Sequence, residues 1–219
     1  MDIEIRNLSK AYGDKVIFEN FSLTLESGGL YGLTAPSGRG KTTLLRLLLG
    51  LLDPDAGTIT PGVRYSAVFQ TDRLLPNRTP VDQLLFVGRN RSTRDGKEAP
   101  VGADDHIGPH PETHHGRHDR DAARTFLLGI LPAESLDQPV GELSGGMQRR
   151  VAIARAHWAD SDAILLDEPF TGLDEDTLHK TADFILKERK GRTLLLSTHQ
   201  KELLETYPFE WLTLPPTQL

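Results

Sequence analysis

The stretch Ala35-Pro36-Ser37-Gly38-Arg39-Gly40-Lys41-Thr42-Thr43 decides the fold of this chain. A short apolar segment precedes it and a longer apolar run follows it, which predicts a strand, a glycine-containing loop and a helix. Gly38 and Gly40 permit a tight turn that brings backbone N–H groups close to an anion. The start of the helix adds amide donors and the positive end of its dipole at the same point. The stretch therefore predicts a phosphate-binding loop.

This loop follows the pattern G-x-x-x-x-G-K-[ST] with one departure, because Ala35 stands at the position of the first glycine. Lys41 would supply a mobile positive charge for the outer phosphates, and the Thr42 hydroxyl would ligate Mg²⁺. Alanine costs little where φ is negative and adds strain where φ is positive. The alternative interpretation is a glycine-rich turn that only caps a core helix. The strand before the loop and the helix after it favour phosphate binding.

The composition indicates a globular protein, since 37% of the 219 residues are hydrophobic and 26% are charged. A net charge of −6 argues against a nucleic-acid binder held mainly by electrostatics. The chain has no cysteine, which excludes disulfides and thiolate chemistry. Residues 1–6 alternate like an edge strand rather than a signal peptide, and the longest apolar run, residues 47–52, is too short to cross a bilayer. We therefore expect any membrane role to need a separate partner chain.

Polar residues follow three apolar segments that are predicted strands of a parallel sheet. Gln70, the pair Asp167 and Glu168, and His199 each lie at or just past the end of one such segment. Because the carboxyl ends of parallel strands meet at one edge, we expect these side chains to lie close together. Asp167 can hold Mg²⁺ through water, and Glu168 can orient or deprotonate an attacking water. The alternatives are a polar turn after a core strand, an ordinary loop glutamine and a structural or solvated histidine.

A second glycine turn, residues 143–150, runs into an apolar helical segment. Ser144 is a good N-cap, and the amides of Gly145 and Gly146 would face outwards. The turn predicts a second anion site without a lysine, which invites the phosphate of a partner molecule. Further along, Asp174 is predicted to cap another helix, with acidic residues in its first turn.

Residues 88–121 lose apolar periodicity and are rich in Gly, Pro, Asp, Arg and His, which predicts a flexible surface insert. Five of the eight histidines lie there: His106, His110, His114, His115 and His118. The tract is open to two interpretations, a metal-binding segment or a solvated loop. It shows no fixed ligand spacing with a supporting partner, so we expect no tight metal binding.

In their order, these motifs resemble the ATP-binding subunit of an ABC transporter over nearly the whole chain. The matches are the Walker A loop at 35–42, the Q-loop at Gln70, the LSGGQ signature at 143–148, Walker B at 163–168, the D-loop at 171–174 and the switch histidine at His199. Tyr12, whose ring could stack on a base or simply pack, matches the adenine-stacking aromatic. The departures are Ala35, Met147 in place of the usual glutamine, and the histidine-rich insert.

The resemblance implies an α/β fold: a P-loop NTPase, RecA-like core with a mainly parallel sheet, an N-terminal antiparallel β-subdomain and an inserted α-helical subdomain. It implies a single ABC ATPase domain over residues 1–219. Residues 1–70 and 159–219 would form the nucleotide-binding core with the β-subdomain. Residues 71–158 would form the helical subdomain with its insert.

The resemblance also implies a role for each site residue, with ATP and Mg²⁺ as ligands and two copies of the chain paired head to tail. The nucleotide would be bound by Tyr12, Pro36, Ser37, Gly38, Arg39, Gly40, Lys41, Thr42, Thr43 and Asp174, and by Ser144, Gly145 and Gly146 of the other copy. Mg²⁺ would be held by Thr42, Gln70 and Asp167. Hydrolysis would depend on Glu168, His199, Lys41 and Gln70.

The implied partners are integral-membrane permease subunits, a second copy of the chain and a solute-binding protein, without nucleic acid. The implied location is cytoplasmic, peripheral on the inner face of the cell membrane. Residues 72–76 resemble the small import ATPases of the nitrate, sulfonate and taurine type, which favours import. Two alternatives are a non-transport ABC ATPase in DNA repair or translation and a regulator that binds ATP without turnover. The single cassette speaks against the first, and intact Lys41, Asp167, Glu168 and His199 speak against the second.

Overall fold

The computed structural model describes residues 1–36, 38–88 and 114–215. The chain forms two compact units, the first made of residues 1–72 with 161–219 and the second of residues 73–160. The predicted limits of the inserted segment lie within two residues of the limits of the second unit. In the described part of the chain, no helix combines the length and the apolar character that crossing a membrane requires.

Eight strands and five α-helices organise the described residues. The strands are β1 (Ile3–Tyr12), β2 (Lys15–Leu25), β3 (Leu30–Thr34), β4 (Ala56–Ile59), β5 (Tyr65–Val68), β6 (Ala163–Asp167), β7 (Thr193–Ser197) and β8 (Glu210–Thr213). The helices are α1 (Lys41–Leu48), α2 (Pro80–Gly88), α3 (His114–Leu127), α4 (Gly145–Trp158) and α5 (Glu175–Glu188).

The smaller sheet of the first unit is antiparallel and has the strand order β2-β1-β4. Ile3, Ile5 and Leu8 of β1 are buried in the core beneath it. The sequence predicts a turn at Glu19 and Asn20 between two strands, and this prediction is wrong. The strand β2 runs through both residues, and Asn20, with a φ of 49°, lies where the pairing with β1 shifts in register. Asparagine tolerates this left-handed conformation, so the chain bulges and continues.

The larger sheet of the first unit is parallel and has the strand order β5-β6-β7-β3-β8. Every residue of β6 and β7 is buried, as continuous apolar strands in the middle of a parallel sheet require. Leu44 and Leu45 of α1 belong to the same hydrophobic core as Leu33 of β3. Because all five strands run in one direction, their carboxyl ends lie along one edge and their amino ends along the opposite edge.

The second unit is helical and is described by itself. Helix α2 packs against α3 and α4, with Leu84, Leu127 and Val151 among the fully buried residues. A buried apolar residue from each helix explains why these three short elements hold together. Arg124 of α3 also forms two hydrogen bonds with Asp137 in the loop that follows.

The end of the predicted insert is helical. Helix α3 begins at His114, so the prediction of an irregular segment through residue 121 is wrong for its last eight residues. Residues 117–121 contain neither glycine nor proline, so nothing in them stops the helix from extending towards the N-terminus. Residues 89–113, with His106 and His110, lie outside the described residues, as do the side chains of His114, His115 and His118. The expectation of no tight metal binding stays a prediction.

Candidate active site

The loop between β3 and α1 is built around two glycines in the left-handed region. Gly38 has a φ of 79°, and Gly40, the N-cap of α1, has a φ of 86°. A Cβ on Gly40 would lie 2.7 Å from Cγ2 of Ile17 and 3.0 Å from Cζ of Phe18, so the position requires glycine. Among the described residues, no side chain caps α1. The first amides of this helix can therefore serve an anion.

The alanine at the first glycine position of the loop is unstrained. Ala35 is not among the residues with positive φ, and it packs against the hydrophobic core. Its carbonyl accepts a 2.7 Å hydrogen bond from Nζ of Lys41, which holds the ammonium over the loop. The carbonyl of Pro36 accepts the N–H of Arg39 at 3.3 Å, which closes the turn. Ser37 lies outside the described residues.

A hydroxyl and a carboxylate meet beside this loop. Thr42, in the first turn of α1, donates from Oγ1 to Oδ2 of Asp167 at 2.7 Å. Ser197, the last residue of β7, donates from Oγ to Oδ1 of Asp167 at 2.6 Å. Asp167 is only 1% exposed, so its orientation is set by these two hydroxyls. Hydroxyl and carboxylate oxygens are ligands that Mg²⁺ prefers, and Thr42 and Asp167 therefore fit this ion.

Glu168 stands directly after β6 in a strained backbone conformation. Its φ is 51°, a conformation that costs a residue other than glycine roughly 1–3 kcal/mol. The backbone O and Oγ of Ser197 accept its N–H at 3.0 and 3.2 Å. Its Oε2 lies 2.8 Å from Nδ1 of His199, and its Oε1 lies 3.6 Å from Nζ of Lys41. The strained backbone thus places a carboxylate, 8% exposed, between the ammonium of Lys41 and the imidazole ring of His199.

Three other predicted site residues, Gln70, Tyr12 and Asp174, also belong to the first unit. Gln70 follows β5 at the same sheet edge as Asp167, and its side chain is exposed. Tyr12 ends β1 with 47% of its surface exposed. Asp174 caps α5 by accepting the N–H of Thr177 at 2.9 Å, and this hydrogen bond lowers the pKa of Asp174. The cap is the one that the sequence predicted.

The second unit carries the other glycine turn. Ser144 is the N-cap of α4 and accepts the N–H of Met147 at 3.3 Å, as predicted. Gly145 and Gly146 form the first turn of this helix, and a Cβ on Gly145 would meet only open space. The carbonyl of Gly146 accepts a hydrogen bond from Nε of Arg150 at 3.2 Å. In contrast to α1, for which the described residues provide no side-chain cap, helix α4 is thus capped by a side chain, that of Ser144.

The structure thus brings together five predicted residues: Lys41, Thr42, Asp167, Glu168 and His199. It also adds Ser197, which the sequence analysis missed. The signal was present in the register, because Ser197 pairs with Asp167 as the last residue of a buried apolar strand. A serine at that position is the polar end of its strand, like Asp167 on β6. The part that each residue plays in binding or hydrolysis stays a prediction.

Comparisons with known proteins identify the family of the chain. The model of the ABC transporter family matches residues 18–171. Nod factor export ATP-binding protein I of Burkholderia lata is 36% identical over 93% of this chain and 64% of its own length. The protein of the same name from Sinorhizobium fredii is 37% identical over 91% of this chain and 56% of its own. The chain thus spans less than two thirds of the length of these curated relatives.

Solved structures share the fold. A dimeric ATP-binding cassette in a post-hydrolysis state with ADP and Pi has a TM-score of 0.75 at 24% identity, over 99% of this chain and 97% of that one. The ATP binding subunit of an ABC transporter has a TM-score of 0.75 at 21% identity, over 100% of this chain and 90% of that one. These likenesses confirm the predicted α/β fold. The family match and the identity to the curated relatives together show that the chain belongs to the ABC transporter family.

Proposed function

We propose that this chain binds and hydrolyses ATP to power transport through separate membrane subunits. The observation that carries the proposal is the meeting of the loop residues Lys41 and Thr42 with Asp167, Glu168 and His199 at one edge of a parallel sheet. A phosphate loop, oxygen ligands for a metal ion and a buried carboxylate base are the groups that phosphoryl transfer to water needs. Membership of the ABC transporter family supports the same chemistry.

Phosphate binding is assigned to the loop and to the start of α1. The loop amides and the helix dipole attract phosphate oxygens, and Gly38 leaves open space where a Cβ would stand. Nζ of Lys41 contacts the neutral carbonyl of Ala35 at 2.7 Å and lies 3.6 Å from Glu168. The ammonium can therefore turn to a triphosphate by giving up one neutral acceptor. Pro36, Ser37, Arg39 and Thr43 complete the proposed phosphate loop.

Mg²⁺ is assigned to Thr42, Asp167 and Gln70. When bound, the ion neutralises charge on the phosphate oxygens during transfer. The chain prepares the site by itself, because Ser197 holds Oδ1 of Asp167 and so directs Oδ2 towards Thr42. Gln70, exposed at the end of the neighbouring strand β5, can add an amide oxygen.

Hydrolysis is assigned to Glu168 as the general base. Its carboxylate takes a proton from the attacking water while the water oxygen bonds to the outer phosphorus and ADP leaves. His199 fixes this carboxylate from one side, through contacts of its ring and its backbone N–H with Oε2. The side chain of His199 is 63% exposed, so it is also open to the phosphate that is transferred.

Two copies of the chain are proposed to pair head to tail. Ser144 and the amides of Gly145 and Gly146 of one copy would face the nucleotide that the other copy holds, and Asp174 would lie near this junction. A helix start without a lysine cannot neutralise a triphosphate alone, which supports a shared site. A phosphate bound by two surfaces favours the closed dimer over the open one, so binding closes the pair and hydrolysis opens it.

The transport partner and direction belong to this proposal. The curated relatives are named for export, so we infer outward movement, with the chain at the inner face of the cell membrane beside permease subunits. Import, with a solute-binding protein, is the second candidate, and residues 72–76 are the observation that favours it. A gene for a solute-binding protein beside the gene for this chain would favour import, and its absence beside a permease gene would favour export.

The experiment measures phosphate release from MgATP per chain as the purified protein is diluted, for the wild type and for Ser144→Ala. We expect the rate per chain to fall on dilution, because the complete site needs two copies. We expect Ser144→Ala to lower the rate about tenfold at high concentration, the effect of a lost charge-assisted hydrogen bond. A rate per chain that stays constant at high dilution, with Ser144 dispensable, would contradict the shared site.

A further inference from the structure

The end of β1 carries Tyr12, the ring that the resemblance to ABC ATPases predicts to stack on the base of the nucleotide. With 47% of its surface exposed, this tyrosine is not held by the core. A stacking platform is useful only when its backbone is fixed before the ligand arrives, because ordering a loose strand end would cost binding free energy. The structure shows how this end is fixed.

The segment before Tyr12 is clamped to the turn that precedes β4. The N–H of Asp55 donates to the carbonyl of Ser9 at 2.9 Å. The N–H of Ala11 donates to Oδ2 of Asp55 at 2.7 Å. Nζ of Lys10 donates to Oδ1 of Asp55 at 2.7 Å and to the carbonyl of Asp53 at 2.9 Å. Four hydrogen bonds therefore join three consecutive residues of β1 to two residues of the turn.

The need for this clamp follows from the length of β4. Pairing between β1 and β4 ends at Ser9 and Ala56, so β4 has no backbone carbonyl to accept an N–H of β1 beyond that pair. Ala11 lies two residues further along β1 and directs its N–H to the same side as the carbonyl of Ser9. The carboxylate of Asp55 takes the place of the missing acceptor. The hydrogen bond from Lys10 is the main cause that lowers the pKa of Asp55, so this acceptor is ionised near neutral pH.

Lys10 also reaches the ring itself. Its Nζ lies 5.9 Å from the centroid of Tyr12, within the range of a cation–π contact. Its side chain is largely buried, and its ammonium is anchored by Asp53 and Asp55, so the contact has a fixed geometry. The ammonium of Lys10 thus contacts part of the ring, and the exposed part of the ring is accessible to a base.

We propose that Asp55 and Lys10 are positioning residues that hold Tyr12 in place for the base of ATP. The proposal rests on the proposed function, since it assigns a role within the nucleotide site. Neither residue needs to touch the nucleotide. Their effect should therefore appear in the binding of a ligand that has a base and not in the binding of a ligand that consists of phosphates alone.

The test compares the dissociation constants of MgATP and of Mg-tripolyphosphate for the wild type, Asp55→Ala, Asp55→Asn and Lys10→Met. We expect Asp55→Ala and Lys10→Met to weaken ATP binding about 3- to 10-fold, with tripolyphosphate binding unchanged. Asp55→Asn keeps an acceptor for the N–H of Ala11, so it should recover part of the loss. With Tyr12→Ala already present, Asp55→Ala should add no further loss, because the ring that it positions is gone.

The matched control is Asp162→Asn, which also removes a carboxylate that accepts from a backbone N–H and from a cationic side chain, both of Arg64. This control should bind both ligands like the wild type. If Asp55→Ala weakens both ligands equally, or weakens neither, the positioning role is overturned while the proposed function stands. If the wild type binds neither ligand, the proposed function fails and this inference fails with it.

Discussion

The two edges of the parallel sheet treat their charges in opposite ways. At the carboxyl edge, Asp167 and Glu168 are buried, and their partners are hydroxyls, a histidine ring and an ammonium 3.6 Å away. At the amino edge, Asp162 and Arg64 form a fork of hydrogen bonds at 2.7 and 3.1 Å, with side chains 47% and 41% exposed. At the carboxyl edge the acidic side chains are buried, and the ion pair between Glu168 and Lys41 is longer than the one at the amino edge. At the amino edge the acidic and basic side chains form a direct ion pair that is partly exposed to solvent.

This contrast separates the charges that are proposed to act in the reaction from charges that pair with each other at the surface. A buried carboxylate without a guanidinium partner is costly unless a ligand completes its surroundings. At the amino edge, Asp162 and Arg64 already neutralise each other, so this pair does not need a ligand. Each edge also has a buried serine and a glycine with positive φ, so matched substitutions can test the contrast.

The largest expected effect is that of Glu168→Gln at the carboxyl edge. Replacing the carboxylate by an amide removes the base but keeps the size of the side chain, so turnover should fall about 10²- to 10⁴-fold. ATP binding should persist, and the ATP-bound dimer should become stable. Phosphate release and size-exclusion chromatography with MgATP measure the two results. Unchanged turnover would remove Glu168 from its proposed role.

Alanine substitutions of the glycines at the two edges should differ in whether they weaken nucleotide binding. Gly40→Ala would place its Cβ 2.7 Å from Ile17 at a φ of 86°, and Gly28→Ala would place its Cβ 3.0 Å from the carbonyl of Gly191 at a φ of 78°. Each should lower the free energy of unfolding by roughly 1–3 kcal/mol. Only Gly40→Ala should also weaken MgATP binding, because it distorts the phosphate loop. Urea unfolding and nucleotide titration distinguish the two, and equal loss of binding would contradict the assignment of the loop.

The buried serines allow a finer comparison. Ser197→Ala removes the donor to Asp167 and an acceptor for Glu168, whereas Ser161→Ala removes a partner of Ser66 and Arg192. Each should cost roughly 1–3 kcal/mol of stability, since a buried partner is left without its hydrogen bond.

Turnover should separate these two serine variants. We expect Ser197→Ala to lower it about tenfold, because the orientation of Asp167 loosens, and Ser161→Ala to leave it unchanged. Phosphate release at a temperature where both variants are folded makes the measurement. A similar loss of turnover in both would show that stability, and not the geometry of Asp167, limits the reaction.

The sequence predicted the carboxyl edge better than any other part of the molecule. Acids or a histidine directly after an apolar segment mark the carboxyl end of a buried parallel strand. Because these ends lie along one edge of the sheet, Asp167, Glu168 and His199 could be placed together. Local rules also identified the caps Ser144 and Asp174, because a cap depends only on residues three positions apart. These predictions rest on short-range pattern.

What the sequence could not predict depends on contacts between distant residues. The clamp on Tyr12 joins Lys10 to Asp55, which are 45 positions apart, and no local motif marks it. The continuation of β2 through Asn20 depends on a shift in its pairing with β1. The unstrained Ala35 could not be inferred either, because its φ is set by how the loop meets the core.

The smallest expected effect is that of Asp162→Asn at the amino edge. The hydrogen bond from Arg64 lowers the pKa of Asp162 from 3.8 to about 2, so the pair contributes stability above the higher value. That contribution is lost as the pH falls from about 4 to about 2, because protonation then removes the charge in the folded state as well. Since both side chains are more than 40% exposed, the contribution is discounted to less than about 1 kcal/mol.

Urea unfolding at about pH 7 should therefore show the wild type slightly more stable than Asp162→Asn, and the difference should shrink as the pH falls through about 2, because the folded state then takes up the proton. Turnover of ATP at about pH 7 should be the same in both, because the amino ends of the strands hold no group of the reaction. A lower turnover at equal stability would mean that Asp162 acts on the site through the strand that it precedes. The two edges of the sheet would then not be independent, because losing a charge at the amino end of β6 would have changed the reaction at its carboxyl end.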